Sequence, residues 1–519
     1  MQIKKYFCIA AILIGSLKSC VIFSQTQNYV RPGQLFSVQI EKSDNSHLNI
    51  QLTPTHLRGQ DTIIFSAIER LPDSALQLDY GRFFRNVQAT SHDGQSLAVR
   101  RLSTNKWEIT GGASLHHVTY EVSIHETEDV IKDQLATGRR RPGYLFLPGA
   151  AILGWLDGHE NGHQRIDINA PENWQIVSNI EATGDGAFAV NHFFELHQAK
   201  FAIGNTINVN RFSAFDVPHT LTVYYDNDVF PSAVGNILAT VSKSANILYK
   251  NAPFQDYFAF IELLKTVPPG RNGSSRKAHA FMNGLHIIIP MDNVLSEQIH
   301  YEMLTYYLQT WLSHKRYFKA GIENFYSKKY AYREWLLEGL SKYYSARLLT
   351  QTGFMQMDNF LQKIVVWAND VNWQSEKSIR DSQTTADIAT HPHSAWASRG
   401  ALLGLLLDVQ ILYQSRGYKR LDDGLQALEK AFLSTNEKMQ ITQFPHIIKE
   451  TTGIEVESFF HTYMETQADI PFEKAFSILG LQPGWQNARL VDLTMKQPEE
   501  ISEQTRQLRQ WWLKKIILK

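Results

Sequence analysis

One string in the sequence has the spacing of a zinc-peptidase motif, His159 to His163 (H-E-N-G-H). On a helix, this spacing puts two imidazoles on one face as zinc ligands, with the glutamate beside them as general base for amide hydrolysis. Here Gly158 precedes the string and an Asn-Gly pair lies inside it, and both favour a turn. Ile166 and Ile168 then alternate with polar residues, as in a strand. We therefore interpret the string as a surface turn.

The other histidine clusters also lack a metal-binding spacing. The segment His192 to His197 (H-F-F-E-L-H) has the wrong spacing for an inverted zinc motif, and its alternation predicts a strand. His391 and His393 flank a proline in a loop, where histidines are usually solvated. The sequence has no G-x-S-x-G elbow, phosphate loop or dinucleotide fingerprint. Motif strings alone therefore assign no catalytic chemistry.

The segment Leu295 to Trp311 predicts a helix, because apolar or aromatic residues recur close to a 3.6-residue period. These residues are Ile299, Met303, Tyr306, Tyr307 and Trp311. The apolar run Leu285 to Pro290 before it predicts a buried or edge strand. This setting suggests the helix that carries the zinc motif in a metallopeptidase, although the motif itself is absent. The same aromatic residues would also suit an ordinary core helix.

Length and charge narrow the class of protein. A chain of 519 residues is too long for one core and predicts about two to four domains. Lys+Arg and Asp+Glu balance at 51 each, so the net charge favours neither nucleic acid nor an acidic membrane surface as a partner. Beyond the N-terminal segment we expect no transmembrane segment.

Residues 1–25 predict an export signal, because two lysines precede the short apolar run Phe7 to Gly15. We therefore expect the protein in the periplasm, in the cell envelope or outside the cell. Ordinary cleavage near Ser24 is preferred, and a lipid anchor at Cys20 is the alternative. Both cysteines, Cys8 and Cys20, lie in this segment, so the mature chain would have no internal disulfide and no thiolate ligand.

Residue patterns predict an α+β multidomain fold. Period-2 runs broken by turn signals predict antiparallel strands and a β-sandwich in residues 28–210. Within this region, Gly138 to Gly143 (G-R-R-R-P-G) is interpreted as a solvated turn, with an anion site as the alternative. A strand is predicted at Tyr257–Leu264. Helices are predicted at Pro231–Lys250, Glu334–Thr350, Met357–Val371, Ala395–Ser415, Leu421–Leu433 and Pro498–Lys519.

Five segments carry a family resemblance. They are Leu78–Leu97, the Y-L-F-L-P-G run from Tyr144, R-I-D-I-N-A-P-E-N-W-Q-I-V-S-N-I from Arg165, Ser394–Leu428 and Thr451–Leu481. Together, and in this order, they resemble the glycyl aminopeptidase family of zinc metallopeptidases, in the gluzincin group. The resemblance implies an N-terminal sandwich, a thermolysin-like α+β domain over residues 211–345, a helical domain over residues 346–482 and usually a PDZ domain. Only 38 residues follow Leu481, too few for a PDZ domain, so we expect a tail helix in residues 483–519.

The resemblance also identifies the catalytic positions. The family's zinc helix carries an H-E-F-F-H-T-W-like run, which matches Thr305 to Trp311 (T-Y-Y-L-Q-T-W). The two histidine positions hold Thr305 and Gln309, and the position of the base holds Tyr306. A W-x-x-E-G-like segment retains the third ligand position, Glu338, 29 residues after Gln309.

The strand that would anchor the substrate is altered as well. The family's G-L-E-H-like run is reduced to Gly284, Leu285 and His286, without a glutamate. Hydroxyl and amide oxygens are poor zinc donors compared with imidazole, and a phenol with an ordinary pKa of about 10 is a poor base at neutral pH. His300 lies five residues before Thr305, so on an ideal helix it faces away from that position. We expect neither a bound cofactor nor peptidase activity.

Three hypotheses follow from these substitutions. The first is a non-catalytic exported protein that binds peptides or proteins in the retained groove or on the sandwich. The second is an active metallo-aminopeptidase with a rearranged zinc site that recruits His286, His300 or Glu338. The third is a structural envelope protein in which Tyr306, Tyr307 and Trp311 are simply core aromatics.

Overall fold

The structure is a computed structural model that describes residues 33–41, 47–55, 57, 59–69, 78–124, 136–160, 162–190, 193–214, 216–225, 233–249, 252–265, 278–290, 296–313, 338–372, 393–434, 443–466 and 468–518. The predicted export signal, with Cys8 and Cys20, lies outside these residues. The chain has a mixed α+β fold with several sheets and helices, as its residue pattern indicates. Among the described helices, none combines the length and hydropathy needed to cross a bilayer.

Alternating apolar and polar residues form the strands that precede residue 205. Their bounds are β1 Gln34–Gln39, β2 His47–Pro54, β3 Thr62–Ser66, β4 Phe84–Ser91, β5 Ser96–Leu97, β6 Val99–Arg101, β7 Lys106–Thr110, β8 Leu115–Ser123, β9 Arg139–Arg141, β10 Tyr144–Pro148, β11 Trp155–Leu156, β12 Gln164–Asn169, β13 Gln175–Ser178, β14 Phe188–Val190 and β15 Lys200–Gly204. Two short helices lie among them, α1 Gly149–Ile152 and α2 Phe193–Gln198.

Within the described residues these strands form three sheets. The large sheet has the order β14-β12-β1-β2-β8-β4-β5, and its β1–β12 pair is parallel while its other pairs are antiparallel. The β3 sheet has the order β11-β3-β7-β6, and the β10 sheet has the order β13-β15-β10-β9. Inward-facing residues of all three sheets share one hydrophobic core. For example, the ring of Phe65 on β3 lies 5.1 Å from the ring of Tyr120 on β8.

The central sheet follows, with the order β16-β17-β18-β20-β19 in the described residues. Its elements are β16 Ile207–Ala214, β17 Val217–Tyr225, α3 Ala233–Leu248, β18 Tyr257–Leu264, β19 Ala278–Phe281 and β20 Gly284–Pro290. Strands β17, β18 and β20 are parallel neighbours, whereas β16 and β19 pair antiparallel at the two edges. The nearly continuous apolar sequences of β18 and β20 are typical of strands covered on both faces.

Helices cover one face of the central sheet, and the β10 sheet covers the other. The helices are α4 Glu297–Ser313, α5 Leu340–Thr352, α6 Met357–Asn372, α7 His393–Gln414, α8 Leu421–Ser434, α9 Gln443–Thr452, α10 Glu457–Glu465 and α11 Phe472–Ile478. They share a second hydrophobic core with α3 and the near face of the sheet. A smaller apolar cluster, which includes Phe146 on β10 and Phe260 on β18, fills the space between the two sheets.

The C-terminal segment contains a hairpin that the sequence pattern did not predict. Strands β21 Leu481–Gln486 and β22 Arg489–Met495 pair antiparallel around a turn, and Asn369 of α6 bonds to both backbone groups of Leu490. The predicted tail helix is shorter than expected and forms α12, Glu503–Trp512, after a 3₁₀ turn at Pro498–Glu500. Ser502 caps α12 by accepting a hydrogen bond from the backbone of Thr505.

Candidate functional site

Helix α4 carries the positions that match the zinc ligands and the base. It spans Glu297–Ser313, two residues later at each end than the predicted helix. Its apolar face is buried against α3, α5 and the central sheet. The hydroxyl of Thr310 lies 3.1 Å from the carbonyl oxygen of Gly284, and thereby links α4 to strand β20. The segment that the resemblance aligns with the zinc motif is therefore held against the sheet.

Thr305 occupies the first ligand position and is nearly buried, with 4% of its surface exposed. Its hydroxyl donates a hydrogen bond to the carbonyl oxygen of Tyr301, 2.7 Å away and one turn earlier on the same helix. Threonine often makes this bond inside helices, where it satisfies the hydroxyl without an outside partner. Tyr306 and Gln309 are half-buried. The two positions that match the histidine ligands thus hold a hydroxyl bonded within its own helix and a neutral amide.

Glu338, the third position, is half-buried at the start of the turn that leads into α5. The next residue, Gly339, packs against the backbone of Gly400 on α7. A Cβ atom at Gly339 would lie 2.4 Å from the Cα atom of Gly400, so a side chain there cannot be accommodated without a shift of one helix. Glu338 therefore supplies a carboxylate, and Gly339 beside it allows the two helices to approach closely. Residues 314–337, which join α4 to Glu338, lie outside the described residues.

Tyr307 and Trp311 belong to the hydrophobic core, as the third hypothesis expects of them. The hydroxyl of Tyr307 lies 3.0 Å from Nε2 of His219, and its ring lies 4.5 Å from that of Tyr257. Trp311 stacks on Tyr249 with ring centroids 4.7 Å apart. Burial raises the pKa of the Tyr307 hydroxyl above its ordinary value, so it remains protonated and neutral. Tyr306 is half-buried against the same core.

The predicted substrate-anchoring residues, Gly284, Leu285 and His286, lie in the interior of the structure. Strand β20 is flanked by β18 and β19, and Leu285 and His286 have no exposed surface. A Cβ atom at Gly284 would lie 2.0 Å from the carbonyl oxygen of Phe258. A bound peptide could not contact these side chains without displacing a neighbouring strand. Their position does not agree with the groove expected for them, because β19 and not β20 is the strand at the edge.

His286 instead belongs to a buried charged triad with Arg139 and Glu262. Its Nε2 atom lies 2.8 Å from Oε1 of Glu262 and 3.2 Å from Nη2 of Arg139. Arg139 also forms an ion pair with Glu262, and both side chains are completely buried. The ring of Phe146 stacks on His286 with centroids 4.2 Å apart. The triad therefore connects β9 of the β10 sheet to β18 and β20 of the central sheet.

The pKa values of Glu262 and His286 are both lowered, and for Glu262 this is the opposite of what burial alone would do. Burial by itself would raise the pKa of Glu262, but Arg139 and His286 together hold it well below its usual range. Burial lowers the pKa of His286 to about 4, although Glu262 opposes this shift. At neutral pH the triad is thus an arginine–glutamate ion pair with a neutral histidine.

Arg139 was not expected at such a position. The segment Gly138 to Gly143 was interpreted as a solvated turn, but Arg139–Arg141 form strand β9, and only the Pro-Gly pair that follows forms the turn. A run of three arginines is usually solvated, and the sequence gives no sign that one of them pairs with a carboxylate 123 residues away. The turn prediction is wrong for this reason.

The other histidine predictions have mixed outcomes. The H-E-x-x-H string does form a turn, in which the backbone N–H of Gly162 donates to the carbonyl of His159 at 3.3 Å, before β12 starts at Gln164. The strands on its two sides belong to different sheets, so it is not a hairpin. The strand prediction for His192 to His197 is wrong, because helix α2 covers Phe193–Gln198. His393 starts α7, and His391 lies outside the described residues.

The aligned positions Thr305, Gln309 and Glu338 do not provide the ligand set of a catalytic zinc ion, because none of them carries an imidazole. Within the described part of the chain, no three His, Cys, Asp or Glu side chains form a group that could hold a metal ion. Of the two histidines that the second hypothesis would recruit, His286 lies in the buried triad. The other, His300, has its Nδ1 atom 3.1 Å from the carbonyl of Ser296 and stacks on Phe354. Neither joins Glu338 in a ligand set.

Comparisons with known proteins place the chain among peptidase-like folds. Residues 35–205 match the Peptidase M61 N-terminal domain. The whole structure is similar to that of the aminopeptidase N family protein from Idiomarina loihiensis, with a TM-score of 0.74 and 17% identity over 87% of this chain and 79% of that chain. It is also similar to the M1 zinc metallopeptidase from Deinococcus radiodurans, with a TM-score of 0.52 and 12% identity over 85% of this chain and 94% of that chain. A search of curated protein sequences found no match.

These similarities agree with the predicted class of protein at a coarse level. At such low identities the structural likeness shows an aminopeptidase-like fold. Together with the matched N-terminal domain, it supports a metallopeptidase-like family. Activity, specificity and cellular location do not follow from a shared fold.

Proposed function

We propose that this chain is a non-catalytic, exported relative of the glycyl aminopeptidases that binds a peptide or protein ligand without cleaving it. The observation that carries the proposal is the composition of α4. Two ligand positions hold Thr305 and Gln309, and the position of the base holds Tyr306. Three protein ligands and an activated water are what a catalytic zinc site needs. With Glu338 as the single carboxylate in this set, the amide bond of a bound peptide would not be attacked.

The partial exposure of three of the aligned positions supports binding over a purely structural role. Tyr307 and Trp311 are 1% and 2% exposed, whereas Tyr306, Gln309 and Glu338 are only half-buried. These three polar side chains lie at the boundary between core and surface. Phenol, amide and carboxylate groups at such a boundary can donate and accept hydrogen bonds to a peptide backbone. The Thr310–Gly284 link holds α4, with Tyr306 and Gln309, beside the sheet.

Two assays on the purified full chain test the proposal. In the first, a panel of aminoacyl amides is incubated with the protein and added zinc, and we expect no hydrolysis above that of a chelator-treated sample. In the second, a labelled random peptide library and extracted envelope proteins are tested for binding by the same protein. We expect binding that weakens in a Tyr306→Ala/Gln309→Ala variant.

The matched control for binding is the variant Gln298→Ala/Glu302→Ala, which alters an exposed and a half-buried polar residue of the same helix outside the aligned positions and should bind like the unmodified chain. Zinc-dependent hydrolysis that disappears in Glu338→Gln would contradict the proposal and identify an active enzyme with a rearranged site. Failure to bind any peptide or protein would instead favour the structural hypothesis. Cell fractionation tests the exported location separately, and recovery of the full-length chain in the cytoplasm would contradict it.

A further inference from the structure

Two segments that are distant in sequence meet on the surface of the helical region. One consists of the end of α7 and the turn that follows it, residues 413–420. The other consists of the end of α12 and the tail that follows it, residues 511–518. Gly417 lies so close to the indole of Trp511 that a Cβ atom would lie 2.0 Å from the ring. The guanidinium of Arg420 donates to the carbonyl of Trp512 at 3.3 Å. The two segments therefore form one continuous surface.

Large apolar side chains project from this surface. Tyr418 is 86% exposed and Ile517 is 88% exposed, and Tyr413 also lies open to solvent. The tail that carries Ile517 is held in place, because the backbone N–H of Ile516 donates to the carbonyl of Gln351 at 2.9 Å. Residues alternate between sides in an extended segment, and accordingly Ile516 is half-buried while Lys515 and Ile517 point outward. The exposure of Ile517 is thus a feature of the fold.

The charge of the same surface is strongly positive. Residues 413–420 and 511–518 contain no aspartate or glutamate, and their cations are Arg416, Lys419, Arg420, Lys514 and Lys515. Of the acidic residues that follow the turn, Asp422 forms ion pairs with the buried Arg347 and with Arg420, and Asp423 accepts from the backbone of Arg420. Arg420 is thereby compensated, and the other four cations carry the positive charge of the surface. The balanced charge of the whole chain conceals this local excess of cations.

We propose that this basic–aromatic patch, formed by Tyr413, Arg416, Tyr418, Lys419, Lys514, Lys515 and Ile517, docks the protein on an anionic lipid surface. Lysine and arginine attract the phosphates of anionic lipids, and tyrosine and aliphatic side chains insert at the level of the headgroups. An acidic protein partner would complement the cations but would not account for an isoleucine that the fold holds in solvent. The inference is independent of the peptidase-like site, which involves none of these residues.

Flotation of the full chain with lipid vesicles tests this proposal. We expect binding to vesicles of phosphatidylcholine mixed with phosphatidylglycerol, weak binding to phosphatidylcholine alone, and loss of binding as the salt concentration rises. The variant Lys514→Glu/Lys515→Glu should weaken binding by roughly tenfold or more, because each cation near an anionic bilayer contributes about a fivefold gain in affinity. The variant Tyr418→Ser/Ile517→Ser should weaken it while the salt dependence remains.

The control variant is Lys430→Glu/Lys474→Glu, which reverses two exposed lysines outside the patch and should bind like the unmodified chain. Circular dichroism of each variant shows whether it is folded. Absence of vesicle binding by the unmodified chain would overturn the proposal. Unchanged binding after charge reversal at Lys514 and Lys515 would also overturn it. A third result would also overturn it: soluble polyglutamate binds as tightly as the vesicles do, and this binding does not depend on Tyr418 and Ile517. An acidic protein would then be the better occupant.

Discussion

The hydroxyl of Thr305 donates to the carbonyl oxygen of Tyr301 within the same helix, at 2.7 Å. In the resembled motif this position would present an imidazole to zinc, and here it presents a nearly buried hydroxyl that is already satisfied. Gln309, one turn later, supplies an amide in place of the second imidazole. The helix thus has a buried apolar face, and the positions that the resemblance aligns with the zinc ligands hold no imidazole. The predictions below follow from this relationship and from the contacts that hold the surrounding fold.

Restoring the motif should restore metal binding. The variant Thr305→His/Tyr306→Glu/Gln309→His recreates the i, i+4 histidine pair, and Glu338 would supply the third ligand. We expect it to retain zinc after dialysis, as measured by inductively coupled plasma mass spectrometry, and to lose that zinc when Glu338→Gln is added. The control, Gln298→His/Glu302→His, places the same pair on the exposed start of α4 without a carboxylate partner. If the triple variant retained no more zinc than this control, the alignment of α4 with the zinc helix would be wrong.

The buried triad should be sensitive to the loss of its charge. Glu262→Gln keeps the shape of the side chain but leaves the guanidinium of Arg139 buried without its carboxylate. Breaking a buried ion pair in this way costs about 3–5 kcal/mol of unfolding free energy, which denaturant titration measures. The surface pair of Arg100 and Glu108 provides the control, and Arg100→Ala should change the unfolding free energy by about 1 kcal/mol or less. Similar losses of unfolding free energy in both variants would show that burial does not make the Arg139–Glu262 pair more important than a surface pair.

The same triad predicts acid sensitivity. Since the pKa of His286 is about 4 in the folded chain and 6.5 as its ordinary value, the unfolded chain binds more protons between these pH values. Stability is therefore lost as the pH falls from about 6.5 to 4, by an amount on the order of 3 kcal/mol. Glu262, whose pKa is lowered on folding, adds a further loss below its ordinary pKa.

Unfolding free energies measured across this range should decline less steeply for His286→Gln than for the unmodified chain. The decline should not disappear, because burial also lowers the pKa of His219. His446→Gln, which removes an exposed histidine outside the triad, serves as the control for the substitution itself. A slope unaffected by His286→Gln would show that this histidine does not titrate as its burial implies.

The C-terminal helix should be an integral part of the fold. Trp512 is completely buried, its indole N–H donates to the hydroxyl of Tyr343 at 3.0 Å, and its carbonyl accepts from Gln351. Trp512→Ala should lower the unfolding free energy by about 3–5 kcal/mol, because it removes a large buried side chain and a hydrogen bond. Trp485→Ala, at a half-exposed position in the hairpin, should cost about 1 kcal/mol or less. Equal costs would show that α12 is peripheral.

The glycine after Glu338 should resist substitution. Gly339→Ala would bring its methyl group against the backbone of Gly400, and overpacking of this kind typically costs about 1–3 kcal/mol. Gly59→Ala is the control, because no atom lies within 4 Å of a Cβ atom built at Gly59. We expect its unfolding free energy to stay within about 0.5 kcal/mol of the unmodified chain. A neutral Gly339→Ala variant would contradict the close approach of α5 and α7.

Long periodic segments of the fold were predictable from the sequence, whereas short ones were not. Helix α4 and strand β18 were predicted to within two residues, because α4 carries a helical period and β18 is a short continuous apolar run. The six residues of α2 were predicted as a strand, since one and a half turns cannot establish a helical period. The hairpin of β21 and β22 was missed because its strands are short, and because part of its support comes from two hydrogen bonds with Asn369 of α6.

For the candidate site, residue types were informative and long-range partners were not. The substitutions at Thr305, Tyr306 and Gln309 are visible in the sequence once the helix is aligned with the resembled motif. The burial of His286 was not visible, because it depends on Arg139 and Glu262 from two other strands. No local pattern indicates which strand lies at the edge of a sheet, so the apolar run of β20 was compatible with either a buried or an edge strand.

Metal content of the purified full chain tests most directly whether α4 is a zinc helix without its zinc site. The protein would be prepared with zinc in every buffer, dialysed without a chelator and analysed by inductively coupled plasma mass spectrometry, with the Thr305→His/Tyr306→Glu/Gln309→His variant prepared in parallel. We expect far less than one zinc ion per chain in the unmodified protein and close to one in the variant. One tightly held zinc ion per unmodified chain would contradict the loss of the site and would favour an active enzyme.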